Sequence, residues 1–142
     1  MYDYPFLFFK TLLVLSVYFC GKTCYNICSK ETEANMITFK IHQIKDIENT
    51  DYAFRSFNPG KFNFADYEER YEMEFESIDD KTNIEICEVI FYIFNMPRPE
   101  DFTGHSLSVS DIIELNRNGS KQFYYCDMCG FTRLNRHDLR PW

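Results

Sequence analysis

The chain has 142 residues, is 45% hydrophobic and 18% aromatic, and carries a formal net charge of −7 at pH 7. That length accommodates one domain with a workable core, and the aromatic share predicts dense ring packing, a sticky exposed face, or both. The acidic balance disfavours sequence-independent attraction to nucleic acid.

Residues 1–35 differ from the rest. Phe6 to Cys20 is apolar apart from Lys10, Thr11 and Ser16, yet shorter than the ~20 residues a spanning helix needs. As a signal peptide it is poor: Tyr2-Asp3-Tyr4 is not basic and no small-x-small cleavage pattern follows. Tyr18-Phe19 ahead of Cys20 also argues against lipoprotein processing. Cys20, Cys24 and Cys28 fall on one helical stripe, a spacing that suggests a metal or disulfide site. Two plainer readings are a weak membrane anchor through residues 6–20 and a start codon set too early. The second is preferred, because domain-like patterning begins at Met36, the first internal methionine. The expected organisation is an apolar leader over 1–35, with Lys30 to Asn35 as a polar linker, and a folded domain over 36–142.

From Met36, Ile37, Phe39 and Ile41 alternate with Thr38, Lys40 and His42, which predicts a half-buried strand with His42 facing solvent. Asn49 to Gly60 reads as a loop, with Asn58-Pro59-Gly60 a turn. Tyr52, Phe54 and Phe57 are expected to pin that loop to the core, with Arg55 stacked on a ring. Tyr71, Met73 and Phe75 alternate with Glu72, Glu74 and Glu76. This predicts a second strand with one acidic face; a helix is the competitor, because Tyr67, Tyr71 and Phe75 lie four apart. Three carboxylates on one exposed face are read as solvated, since acid–base work needs a pocket around a pair. Asp79-Asp80-Lys81 is a turn. Thr82 to Asn95 is the clearest helix: Thr82 and Glu85 form a capping box, and Ile86, Val89, Ile90, Ile93 and Phe94 recur at helical spacing. Cys87 lies beside that stripe and is read as an inert buried thiol. Pro97 ends the helix.

Gly104 permits a reversal, and Ser106, Ser108 and Ser110 alternate with Leu107 and Val109. A short extended run there would put hydroxyls on one face, although turn chemistry is the plainer reading. Asp111 precedes a β-branched strand, Ile112 to Leu115; Asn118-Gly119 is a hairpin turn, and Lys121 to Cys126 is the returning strand. Asp111 is expected to hold the loop by accepting backbone bonds, so that Asp111→Asn costs about 1–3 kcal/mol. The order of elements predicts an α+β fold, a mostly antiparallel sheet with one main amphipathic helix packed on it.

The cysteines and histidines offer three chemical constellations. Cys126-Asp127-Met128-Cys129 is a single CxxC, weak evidence for zinc even with His105, His137 or Cys87 as further ligands. On a strand and turn it also lacks the helix N-terminus that a redox CxxC uses. Cys126 with His105 is a conceivable nucleophile pair, but six cysteines and three histidines supply such pairs by number alone. No phosphate loop, HExxH or nucleophile elbow is present, so no catalytic residue, metal or cofactor is assigned. Cysteine without a credible export signal fits a reducing cytoplasm.

The segment Arg98-Pro99-x-Asp101-Phe102-x-Gly104-x-Ser106-Leu107-Ser108-Val109-Ser110-Asp111, followed by Tyr124-Tyr125-Cys126-Asp127-x-x-Gly130-Phe131, resembles the YodL-like domain. The resemblance runs from about Phe39 to Leu134. Cys129 departs from the aromatic or aliphatic residue expected before Gly-Phe. The family is a small domain of Gram-positive bacteria and their plasmids and integrative elements, alone or embedded in large proteins of mobile elements. It brings no established catalytic residues. What it implies is a non-enzymatic cytoplasmic accessory or regulatory module that contacts an as yet unidentified cytoplasmic protein. Gly104, Ser106, Ser108, Ser110, Asp111, Asp127 and Phe131 are the candidate contact residues. The alternative is a nucleic-acid-binding accessory domain, with Arg117, Arg133, Arg136 and Arg140 on phosphates and Tyr124, Tyr125 or Trp142 stacking on bases. A membrane partner enters only if residues 1–35 are native to the chain. These readings predict that residues 36–142 expressed alone are soluble and folded; circular dichroism of that fragment checks it, and an unfolded product would assign the leader to the fold.

Overall fold

The computed structural model describes residues 36–76, 80–96 and 98–140. The leader with its cysteine stripe, Asp79, the helix stop at Pro97 and Trp142 lie outside the described residues. Five strands form one antiparallel sheet: β1 (Met36–Ile44), β2 (Tyr67–Glu76), β3 (Ile112–Arg117), β4 (Ser120–Asp127) and β5 (Gly130–Arg133), in the order β2-β1-β3-β4-β5. One helix, α1 (Asn83–Asn95), falls between β2 and β3. The fold is therefore α+β and dominated by its sheet.

Local chemistry explains the elements. In β2 the alternation of aromatic or methionine side chains with glutamates wins over the helical spacing, and Tyr71 pairs with Ile41 while Glu69 pairs with His42, leaving Arg70 as the extra residue of a bulge. The Thr82 hydroxyl accepts from the Glu85 N–H at 3.3 Å and the Glu85 carboxylate accepts from the Thr82 N–H at 2.7 Å, the reciprocal cap expected at the start of α1. Asn118 (φ 53°) and Gly119 (φ 77°) both take left-handed backbone between Arg117 and Ser120, as a two-residue hairpin requires.

Strand alternation sends side chains to two clusters. On one face Ile37, Phe39, Ile41, Ile113, Leu115, Tyr124 and Cys126 join Ile86, Cys87, Ile90 and Phe94 of α1 and Phe102 and Leu107 of the connection to β3. Phe94 sits edge-on to Phe39, Tyr71 and Phe102, with ring centroids 5.9, 5.1 and 4.9 Å away. On the other face Ile44, Ile112 and Tyr125 meet Tyr52, Phe62, Tyr67 and Leu134, with Phe57 and Phe64 packed against them. The loop between β1 and β2 thus covers one end of the sheet's second face.

That cover corrects three expectations. His42 is buried rather than solvent-facing: its Nε2 lies 2.9 Å from the Glu114 carboxylate, and its ring stacks edge-on against Phe64. Alternation placed it on the right face, but the loop closes over that face. Phe54 does not pin the loop; it is 51% exposed, while Tyr52 and Phe57 do pack inward. Arg55 is also exposed and offers its carbonyl, not its guanidinium, to the ring beside it; the cation stacked on a ring is Arg98, 5.2 Å from the Phe102 centroid. No helix among the described residues is long and apolar enough to cross a membrane.

Removing the ring at the centre of the first cluster tests this packing. Phe94→Ala is expected to cost about 3–5 kcal/mol, read as a lowered urea midpoint, because the three surrounding rings and the aliphatic groups cannot all collapse into the void.

Candidate functional site

The connection from Arg98 to Asp111 is irregular, so the serine run is not an extended strand and its hydroxyls do not share a face: Ser106 is exposed, Ser108 half-buried and Ser110 buried. Turn chemistry accounts for it. The Asp111 carboxylate, 1% exposed, accepts from the Ser108 N–H at 2.9 Å and the Gln43 amide at 3.0 Å, and the Asp111 N–H donates to the Ser108 carbonyl at 3.1 Å. Both acceptor bonds fall on Oδ2, as does a longer one from the Ser108 hydroxyl at 3.5 Å. Oδ1 faces His105, whose Nε2 lies 3.7 Å away. An asparagine with its oxygen in the place of Oδ2 would keep those bonds, so the structure lowers the cost assigned to Asp111→Asn from sequence.

Gln43 ties β1 to this turn. Besides Asp111, its amide donates to the His105 carbonyl at 2.9 Å and lies 3.2 Å from the His105 Nδ1. Gln43 continues the core-facing series Ile37, Phe39, Ile41. A polar residue at the next position of a buried series must find partners; that was the signal that could have revealed it. Its Oε1 is buried without a donor and packs against Gly104. Arg98 reaches the carbonyls of Phe102 and Gly104 and fixes the other end of the connection.

The turn in turn holds the β1–β2 loop. Ser110 takes φ 80° and Phe54 φ 58°, both left-handed, and the Phe54 N–H donates to the Ser110 hydroxyl at 3.0 Å. The Tyr67 hydroxyl donates to the Ser110 carbonyl at 2.8 Å and the Tyr125 hydroxyl to the Arg55 carbonyl at 2.7 Å. Asp127 accepts from the Phe57 N–H at 3.4 Å and from the Thr132 hydroxyl at 2.8 Å. Three residues singled out in the sequence, Ser110, Asp111 and Asp127, therefore join Tyr67 and Tyr125 in clamping residues 54–57. Phe131 stands apart, its ring on Phe91 of α1 at 6.2 Å. Phe54 projects from the clamp with its ring 5.9 Å from His105.

Burial sets the electrostatics. It pushes the Asp111 carboxyl from 3.8 up to about 6, against the opposing pull of His105, the Ser108 N–H and the Gln43 amide. It also pushes the Tyr67 hydroxyl and the Cys126 thiol well up. Tyr67 is thus a fixed donor, and Cys126 is a protonated thiol, poorly suited to nucleophilic attack or metal ligation. Cys129 is exposed in the β4–β5 turn. Among the described residues no group of three or more His, Cys, Asp or Glu side chains is placed to hold a metal ion. Two of the rings offered to nucleic acid are in the core: Tyr125 is fully buried and Tyr124 4% exposed, with its hydroxyl bonded to Gln122. Arg117 donates to the Lys81 carbonyl at 2.8 Å, while Arg133, Arg136 and Arg140 are exposed.

A family model described as the YodL-like domain matches residues 38–136. No curated protein matches the chain. No solved structure matches it.

The tightest point of the site is Gly104. A Cβ built there would lie 2.1 Å from the Gln43 Oε1 and 2.7 Å from the Phe102 ring, both in the buried interior. Gly104→Ala is expected to lower stability by about 1–3 kcal/mol through overpacking; Asp111→Asn, which keeps the shape and the acceptor, is expected to cost less. Chemical denaturation of the two variants side by side reads the difference.

Proposed function

The chain belongs to the YodL-like domain family, and on that premise we propose that it is a non-enzymatic accessory or regulatory module that works by contact with another protein, with the Phe54 loop as its contact edge. In this reading it acts in the cytoplasm and serves a mobile element, as the resemblance implies.

The observation that carries the reading is the state of Phe54. A bulky aromatic residue in left-handed backbone is costly, on the order of 1–3 kcal/mol, and persists only where its surroundings over-determine it. Here the surroundings are the bonds from Ser110, Tyr125 and Asp127, and their product is an aromatic ring 51% exposed at the tip of a clamped loop. Preorganised, exposed aromatic side chains are what protein contacts use as anchors, because little freedom is left to lose on binding.

Phe54→Asn separates contact from stability. Asparagine tolerates left-handed backbone, so the melting temperature should hold or rise, while a protein retained from a native-host lysate by the wild type should be lost by the variant. Undiminished retention of the same protein by Phe54→Asn would overturn the reading.

A further inference from the structure

We propose that His105 and Asp111 form a protonation-operated latch on the Phe54 loop, closed when the pair holds a proton and loosened when it gives it up. This rests on reading the Phe54 loop as the contact edge and concerns the regulation of that edge.

The geometry gives the pair two independent grips on Phe54. His105 touches the Phe54 ring, with centroids 5.9 Å apart. Asp111 acts through its neighbour: its carboxylate closes the turn over Ser108, and that turn sets the left-handed Ser110 whose hydroxyl accepts the Phe54 N–H. The two groups face each other across 3.7 Å, the histidine one-third exposed and the carboxylate 1% exposed.

The groups packed around the pair change charge less readily. From β1 comes the neutral Gln43 amide. From β2 comes the Tyr67 hydroxyl, and from β4 come Tyr125 and Cys126, all three pushed up by burial and so protonated at neutral pH. Within the connection itself, Arg98 points its guanidinium at the carbonyls of Phe102 and Gly104. The pair without a proton leaves a buried carboxylate facing a neutral ring, stabilised by neutral donors alone. One proton on the pair either opposes that charge with an imidazolium or removes it, and both relieve the burial penalty.

The sign follows from linkage. The carboxyl of Asp111 is raised from 3.8 to about 6 by burial. A raised acid contributes stability that is full below its ordinary value and lost as pH rises through the folded one. The closed loop therefore binds the proton more tightly than the open loop, and the latch releases between about pH 4 and pH 6.

Amide hydrogen exchange of Phe54 and Ser108 in the free protein, corrected for intrinsic rates, tests this between pH 4.5 and 7.5. Protection in the wild type should fall on the order of tenfold across that range. In Asp111→Asn, which keeps the Oδ2 acceptor and cannot ionise, protection should be flat. In His105→Gln the fall should move to higher pH, because the charge that opposes the burial shift is gone. The Asp111 carboxyl carbon, followed by NMR in the wild type, should titrate at the pH where the fall in protection levels off, because the fall begins at the open-loop value and ends at the folded one. A flat wild-type profile, a wild-type slope in Asp111→Asn, an unmoved fall in His105→Gln, or a carboxyl titration away from the upper end of the fall would each overturn the latch. No partner enters this measurement, so a failed latch leaves the contact reading standing, and an intact latch beside unchanged retention by Phe54→Asn overturns the contact reading alone.

Discussion

The buried carboxylate of Asp111 is the constraint on which one end of this molecule depends. It sits where the Arg98–Asp111 connection becomes β3, and its acceptor bonds reach β1 through Gln43 and the connection through Ser108. Its backbone carbonyl accepts the Cys126 N–H at 2.8 Å, and the Ser110 N–H donates to the Cys126 carbonyl at 2.9 Å, so the same residue pair extends the ladder to β4. Remove the carboxylate and the Gln43 amide and Ser108 N–H lose an acceptor in an interior that water does not reach. The cost of such orphaned donors exceeds the net worth of the bonds that formed them. That asymmetry makes the turn cooperative: the Ser110 backbone, the Phe54 N–H and the loop over the second cluster all inherit their position from it.

A second buried carboxylate lies on the opposite face and has the opposite linkage. Glu114 is held below its usual value by the hydrogen bond from His42, with Lys121 at 3.1 Å adding to it against desolvation. Its contribution is present at neutral pH and is lost as pH falls through the folded value. Asp111 runs the other way, losing its contribution as pH rises. The two slopes overlap in mildly acid solution and partly cancel in any global melt. Overall stability therefore reports the two carboxylates only as a sum, and a residue-level observable separates them.

Strands β1 to β4, α1 and its cap, and the Asn118-Gly119 hairpin were legible because each rests on neighbours in sequence: alternation, helical spacing, a Thr-x-x-Glu cap; the short β5, Gly130–Arg133, was not anticipated. Asp111 as a holder of backbone donors was legible for the same reason, since its Ser108 partner is three residues away. What sequence reasoning missed lies at long separation. Gln43 meets Asp111 across 68 positions and His42 meets Glu114 across 72. The burial of His42 depends on where a loop of some twenty residues lands, and alternation reports only a face, not whether something covers it. Phe54 was misread for a related reason: an aromatic residue in a loop ordinarily turns inward, and nothing local announces that a hydroxyl 56 positions away will hold its backbone in a left-handed state.

This arrangement also bears on what a family match can say. Most of the residues that carry the resemblance are engaged inside the molecule: Arg98 on carbonyls, Phe102 and Leu107 in the first cluster, Ser108 and Asp111 on each other, Ser110 on Phe54, Tyr125 and Asp127 on the β1–β2 loop. A motif built of such residues specifies a shape, and it would be the same motif whatever the shape is used for. Phe54 at the tip of the clamped loop and the one-third-exposed ring of His105 beside it, which the motif does not contain, are offered to the outside. If the shape exists to present that tip, the internal bonds are its support and the side chain at position 54 decides what it meets. Two related chains could then share every internal bond and still differ in partner, because the clamp fixes the backbone of residues 54–57 through N–H and carbonyl groups and leaves the exposed side chain at position 54 out of those bonds.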